Sequence, residues 1–280
     1  MTNVEELKQI ATRIKRDIIQ LSAANSGHPG GAIGAAEIIA ELYFHRMKQD
    51  ITNPQWEDRD RFVLSNGHTC LALYSALARK GYIDVEELKT FRKINSRLQG
   101  HPSRHDLPEI ETASGPLGQG LSVANGMAMA QKLRESSVKV YCLVGDGELQ
   151  EGQIWEAMMT SAHHRLDNLA MIINWNNIQI DGRVEDVMNI EPLDEKFEAF
   201  GWNVISINGH KIEEIQAAFD QFEQTKERPT VIIAKTVLGN GVSYMEHEPI
   251  WHGKAPSAEE EKIALKEIGE SNFESDLILN

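Results

Sequence analysis

A mainly parallel α/β sheet with helices on both faces is the fold class this sequence predicts, and three observations lead to it. Short apolar runs at residues 139–144 and 169–173 break into Gly, Asp or Asn, as strands do where a sheet meets its ligand edge. Between such runs lie stretches with apolar residues three and four apart, the spacing of one helix face. The two patterns alternate along most of the chain, which is the order a parallel sheet requires.

The elements follow in turn. Val4, Leu7, Ala11, Ile14, Ile18 and Leu21 form the stripe of a first helix. It gives way to Ser22-Ala-Ala-Asn-Ser-Gly-His-Pro-Gly-Gly31, small turn residues that leave backbone exposed and set His28 beside a proline. Residues 35–47 read as a second helix, 62–65 as a short strand running into Asn66-Gly67-His68, and 70–80 as a helix stopped by Gly81. Asp84, with Glu87 three positions on, starts a helix through Phe91. A loop over 98–120 is rich in Gly, Pro and His, and the helix after it, 121–133, is so rich in Ala, Gly and Met that it is expected to be buried on most sides. Strands at 139–144 and 169–173 flank a helix over 153–162. Strands at 202–207 and 230–234 flank a helix carrying Ile212, Ile215, Phe219 and Phe222. The loop 236–256 holds His247 and His252 and is long enough to suggest function. Ser257 with Glu260 makes a capping box for a last helix.

Composition narrows the function. The 280 residues, 41% apolar, can bury a large core, read here as one domain over 1–280 with functional loops at 22–34, 98–120 and 236–256. A net charge of -14 argues against nucleic acid or an anionic membrane as partner, since both need a basic surface. An anionic ligand would then need a metal or local donors. Cys70 and Cys142 fit neither a disulfide framework nor a zinc site, no secretory pattern opens the chain and no apolar run is of membrane-spanning length, so a cytoplasmic protein is expected.

Chemistry concentrates at Gly145-Asp146-Gly147, which ends one strand, and at Asn176, thirty positions after Asp146 and just beyond the next strand. Two hard oxygen side chains at the carboxyl ends of adjacent strands suit Mg2+ or Ca2+ and leave coordination sites for phosphate oxygens. The plainer reading of the triplet is a strand-to-turn corner. Four histidines, His28, His68, His101 and His252, stand in Gly- or Pro-flanked turns, where an imidazole can approach a ligand and donate to phosphate or move a proton at a hydroxyl. Singly, each reads as a loop histidine bonded to backbone; together they read as one site. No zinc spacing, Gly-x-Ser-x-Gly elbow, Walker lysine loop or Gly-x-Gly-x-x-Gly is present, which disfavours metallohydrolase, hydrolase, kinase and dinucleotide readings.

These residues resemble the thiamine-diphosphate enzymes, and within them the transketolase family. Gly145-Asp-Gly-Glu-Leu-Gln-Glu-Gly152 and Asn176-Asn-Ile-Gln-Ile-Asp-Gly182 are similar to its metal-diphosphate motif. Ser26-Gly-His-Pro-Gly30, Leu64-Ser-Asn-Gly-His68, Gly100-His-Pro102, Ser114-Gly-Pro-Leu-Gly-Gln-Gly120 and His252-Gly253 resemble, in the same order, its loops around cofactor and sugar. The resemblance implies a thiamine-diphosphate-binding fold, with Asp146, Asn176 and the carbonyl of Ile178 ligating Mg2+, or Ca2+ or Mn2+ in its place. It implies Gly147 and His68 beside the diphosphate, Gly115, Pro116 and Leu117 beside the aminopyrimidine, and His252 touching the cofactor as well as substrate. His28, His101 and His252 would be the catalytic residues facing the sugar, and Glu151 and Glu156 would lie at a dimer contact, although a solvated helix face is an equal reading of those two.

Two departures shape the expectation. Asn174-Trp175 stands where the family often has acidic residues, and the second domain, which carries the glutamate that activates the aminopyrimidine, is missing from this sequence. The expected protein is the N-terminal subunit of a split transketolase of the pentose phosphate pathway. It would move a two-carbon ketol unit from a ketose phosphate to an aldose phosphate with a C-terminal pyrimidine-binding subunit in an α2β2 assembly. The alternatives are another thiamine-diphosphate enzyme, such as a deoxyxylulose-phosphate synthase-like or 2-oxo-acid-decarboxylating one, and a non-catalytic cofactor-binding or regulatory module.

Overall fold

The computed structural model describes residues 2–279. Helix α1 (Val4–Asn25) starts at Asn3, whose side chain accepts from Glu6 N at 2.9 Å. It is followed by the short α2 (Pro29–Gly34) and α3 (Ala36–Glu41). Strand β1 (Arg61–Leu64), α4 (Cys70–Lys80), α5 (Gln119–Leu133), β2 (Val140–Gly145), α6 (Gly152–His163) and β3 (Leu169–Trp175) come next. A small antiparallel hairpin, β4 (Ile178–Gln179) and β5 (Gly182–Arg183), leads to α7 (Val184–Val187) and α8 (Leu193–Ala199). The chain continues through β6 (Asn203–Asn208), α9 (Ile212–Gln224), β7 (Thr230–Lys235) and α10 (Ala258–Ile268).

Five strands pair in the order β1-β2-β3-β7-β6, all parallel. The expected α/β class is therefore the observed one. Side chains alternate across the sheet as a pleated strand requires. Tyr141, Leu143, Ala170, Ile172 and Ile232 face a core built with α1, α3, α4 and α9. Val140, Cys142, Val144, Met171 and Val231 face a second core with α5, α6 and α8. Because both faces are covered, the central strands read as continuous apolar runs rather than alternating ones.

Several local expectations need correcting. The run at 22–34 is not all loop, because α1 persists to Asn25 and Pro29 opens α2 at the helix position proline favours. The helix expected over 35–47 is α-helical only to Glu41 and then widens into a π turn over Leu42–Arg46. That expected from Asp84 is a 3-10 helix, Val85–Thr90, capped by Asp84 accepting from Glu86 N. Helix α5 is not enclosed on most sides. Leu121, Ala124, Asn125 and Ala128 are buried at helical spacing, but Gly126, Ala130 and Leu133 are exposed, since small side chains allow close approach without saying which faces receive it. The capping box forms as expected between Ser257 and Glu260.

Charged groups tie the first core together. Asp17 on α1 accepts from Arg79 Nε at 2.9 Å, Arg79 Nη2 at 2.7 Å and Ser75 Oγ at 2.6 Å, all on α4 and all buried. Removing one partner of a buried ion pair strands the other charge away from water, so Asp17→Ala should cost about 3–5 kcal/mol in urea denaturation. The double variant Asp17→Leu with Arg79→Met should recover most of that loss, because it leaves no unpaired charge.

Candidate active site

The register of the sheet sets the site. Gly145 of β2 lies opposite Asn174 of β3, so the chain leaves both strands side by side at their carboxyl ends. There Asp146 Oδ1 accepts from Gly147 N at 2.8 Å, and Oδ2 accepts from Asn176 N at 2.8 Å and from Asn177 N. The carboxyl is 3% exposed, and burial pushes it up to about 7 against those three donors. No Lys or Arg among the described residues pairs with it. Asn176 folds over its own turn, Oδ1 accepting from Ile178 N at 3.0 Å, and Asn177 takes the left-handed conformation (φ 59°) that asparagine tolerates.

A cleft of about 490 Å³ opens at this edge, lined by Asp146, Gly147, Asn176, Ile178, Gly115, Leu117 and all four turn histidines. His68 follows β1, His252 closes the loop after β7, His28 precedes α2 and His101 sits on the loop before α5. Their rings cluster, with centroids 5.4 Å apart for His28–His68, 5.7 Å for His28–His252, 5.1 Å for His68–His252 and 6.2 Å for His28–His101. Burial pulls His28 down to about 4 and His68 to about 3, and lowers His101 and His252, with the neighbouring rings reinforcing His28 and His68. All four imidazoles are therefore neutral near pH 7, each with one donor and one acceptor nitrogen. Two buried atoms facing this region, His28 Nδ1 and Asn66 Oδ1, lack a partner within the protein.

Not every expected residue lines the cleft. Pro116 is exposed and borders a neighbouring hollow with Ser114 and Gln119. Glu156 lies on the exposed side of α6, and Glu151, also exposed, stands at the cleft's rim. Sequence reasoning singled out no role for Glu148, which is 2% exposed. It accepts from Gly118 N at 2.8 Å, Gly145 N at 3.0 Å and the Ser65 hydroxyl, joining the ends of β1 and β2 to the start of α5. A glutamate directly after a strand-ending Gly-Asp-Gly was the available signal. Gly120 presses on Ser65 so closely that a Cβ would stand 2.4 Å from its Cβ, and a Cβ on Gly147 would meet that of Gln179 at 3.2 Å. Glycine keeps both approaches open.

Among the described residues no group of three or more His, Cys, Asp or Glu is placed to hold a metal, and no helix is long and apolar enough to cross a membrane. A cation here would have to use a mixed set of carboxylate, amide and carbonyl oxygens, which suits a hard divalent ion. The buried, cation-free Asp146 and the orphaned atoms fit a charged, polar ligand.

The lowered histidines carry a pH consequence. Below the ordinary imidazole value near 6.5 the unfolded chain takes up protons that folded His28 and His68 refuse, so stability falls as pH drops from 7 until those rings protonate near 4 and 3. In ligand-free protein, His28→Gln or His68→Asn should flatten that loss by up to one proton, about 1.4 kcal/mol per pH unit, in denaturation midpoints measured from pH 7 to 5.

Comparison with known proteins agrees with this arrangement. Residues 8–275 match the family described as transketolase, thiamine diphosphate binding domain. One of the two apulose-4-phosphate transketolase chains of Phocaeicola vulgatus, named as a subunit, is 40% identical over 95% of this chain and 95% of its own length. The 6-deoxy-6-sulfo-D-fructose transketolase subunit SqwG of a Clostridium species is 40% identical over 91% and 92%. Transketolase from Campylobacter jejuni superposes with a TM-score of 0.88 at 40% identity, covering 97% of this chain. This chain spans only 44% of that one. With fold, cleft and sequence in agreement, the chain belongs to the family of transketolase thiamine-diphosphate-binding domains.

Proposed function

We propose that residues 1–280 form a single thiamine-diphosphate and Mg2+ domain, the diphosphate-binding subunit of a transketolase divided between two chains. The observation that carries this is the buried Asp146 carboxylate, without a cation and next to Asn176, at the floor of a cleft ringed by four neutral histidines. Relatives of matching length that are named transketolase subunits support the division.

In this reading Asp146, Asn176 and the carbonyl of Ile178 hold Mg2+, with Ca2+ or Mn2+ able to substitute, and Gly147 and His68 stand by the diphosphate. Gly115 and Leu117 offer backbone to the aminopyrimidine, with Pro116 fixing their turn. When bound, thiamine diphosphate supplies the electron sink for breaking and making the carbon–carbon bond of a ketose. The protein's share is orientation and proton handling. Neutral His28, His101 and His252 donate to or accept from the hydroxyls of the sugar, moving protons at those oxygens near neutral pH. The reaction is transfer of a two-carbon ketol unit from a ketose phosphate to an aldose phosphate. The relatives named for apulose-4-phosphate and for a sulfo-sugar favour a substrate outside the pentose phosphate pathway as readily as one within it. The partner is a C-terminal subunit with a pyrimidine-binding domain, assembled with this chain as α2β2 in the cytoplasm.

The test is calorimetric titration of thiamine diphosphate with Mg2+ into the chain mixed with that partner, followed by a ketol-transfer assay. Asp146→Ala and Asn176→Ala should each weaken cofactor binding by about 10–100-fold, the usual cost of disturbing a metal's coordination environment. Transfer should appear only when both chains are present. Full activity of this chain alone would overturn the division, pyruvate as the preferred donor would favour a synthase-like reaction, and no cofactor binding by the complex would remove the enzyme reading.

A further inference from the structure

His210 lies on the turn from β6 into α9, outside the cleft, yet it is joined to the loop that carries His252. Its Nε2 accepts from Val237 N at 2.8 Å, so the ring proton sits on Nδ1, which faces Glu37 Oε2 at 3.2 Å. Glu37 on α3 pairs through its other oxygen with Lys15 of α1 at 2.6 Å, and Lys15 Nζ donates onward to Asn240 Oδ1 at 2.7 Å. Lys15 and Glu37 are each 8% exposed. An amine, a carboxylate and an imidazole from three separate elements thus converge on Val237 and Asn240, at the root of one loop.

A buried pair of this kind adds little stability that apolar residues of the same volume could not match. What it adds is direction, because it fixes two points three residues apart. Between them, Gly239 N donates to Gly30 O at 3.0 Å. The Leu238 side chain and the Trp251 carbonyl close on Gly30 so tightly that a Cβ there would stand 2.7 and 2.8 Å from them. Gly30 is two residues after His28, and Trp251 immediately precedes His252. Seating the loop root on Gly30 therefore sets the 5.7 Å spacing of those two rings.

We propose that His210, held in one tautomer by Glu37 and Lys15, is a positioning residue that latches the Val237–Asn240 turn onto Gly30 and so aligns His252 with His28. The proposal rests on the reading of these two histidines as substrate-facing, but its first readouts need no cofactor or substrate. In His210→Asn the shorter side chain keeps an N–H for Glu37 and no longer reaches Val237. Amide exchange at Val237 and Gly239, followed by NMR in the ligand-free chain, should accelerate about tenfold relative to β2 and β3, the worth of one hydrogen bond. The His28 and His252 ring signals should shift with it. His210→Gln, whose carbonyl can accept from Val237, should restore much of the protection. Asn240→Ala, which removes only the second anchor, should loosen Gly239 to a smaller extent and keeps the test usable if His210→Asn does not fold. With the partner chain, thiamine diphosphate and Mg2+, His210→Asn should lower kcat about tenfold and leave cofactor affinity unchanged. Exchange at Val237 and Gly239 unchanged in both His210→Asn and Asn240→Ala, or raised equally throughout the sheet, would overturn the latch. Failure of ketol transfer by the unaltered complex would instead overturn the transketolase reading and leave the exchange result standing.

Discussion

Everything at the functional edge depends on one hydrogen-bonded junction, the Asp146 carboxylate held by the backbone N–H groups of Gly147, Asn176 and Asn177. It exists because β2 and β3 are parallel neighbours in a register that brings Gly145 level with Asn174. A shift of one residue would turn Asp146 to the other face and part it from Asn176. The same junction leaves a charge uncompensated. A carboxylate dry enough to be pushed up to about 7 is stabilised by whatever cation comes to it, and no described side chain supplies one.

Around that acidic floor the histidines give the opposite character. Each imidazole is disfavoured as a cation by burial, and His28 and His68 by their neighbours too, so the cluster adds hydrogen-bonding capacity without adding charge. A polyhydroxylated substrate needs donors and acceptors in equal measure, which neutral rings provide and lysines do not. Separation of roles follows, with charge handled at the ends of β2 and β3 and hydroxyl chemistry handled by loops that follow α1, β1 and β7 and precede α5.

Much of this was legible in the sequence, and the reasons differ by residue. The strand ending at Gly145 could be read because both faces of the sheet are covered, leaving an uninterrupted apolar run. His28, His68, His101 and His252 could be grouped because turn residues flank each one. Their closeness in space could not be read from spacing, since they lie on segments up to 224 positions apart, from His28 to His252. The one-sided exposure of α5 and the π turn after α3 were hidden because composition reports what can pack and not what lies opposite. Glu148 escaped for a related reason. A glutamate is usually solvated, and only the structure brings Gly118 N, Gly145 N and Ser65 around it.

The position of β7 between β3 and β6 reaches beyond the finished site into how the chain is made. The last strand in sequence is a central one in the sheet, so β6 has no place to pair until residues 230–235 have been inserted, and the His252 loop follows only after that. Contacts of such long sequence separation form slowly, since loop closure must precede the gain. On a ribosome the amino-terminal helices and β1 to β3 would emerge with an open sheet edge and half a cleft. Ligand retention by this protein is therefore a report on complete synthesis: a nascent chain lacking its final strand can bring Asp146 to Asn176 but cannot close the ring of histidines above them.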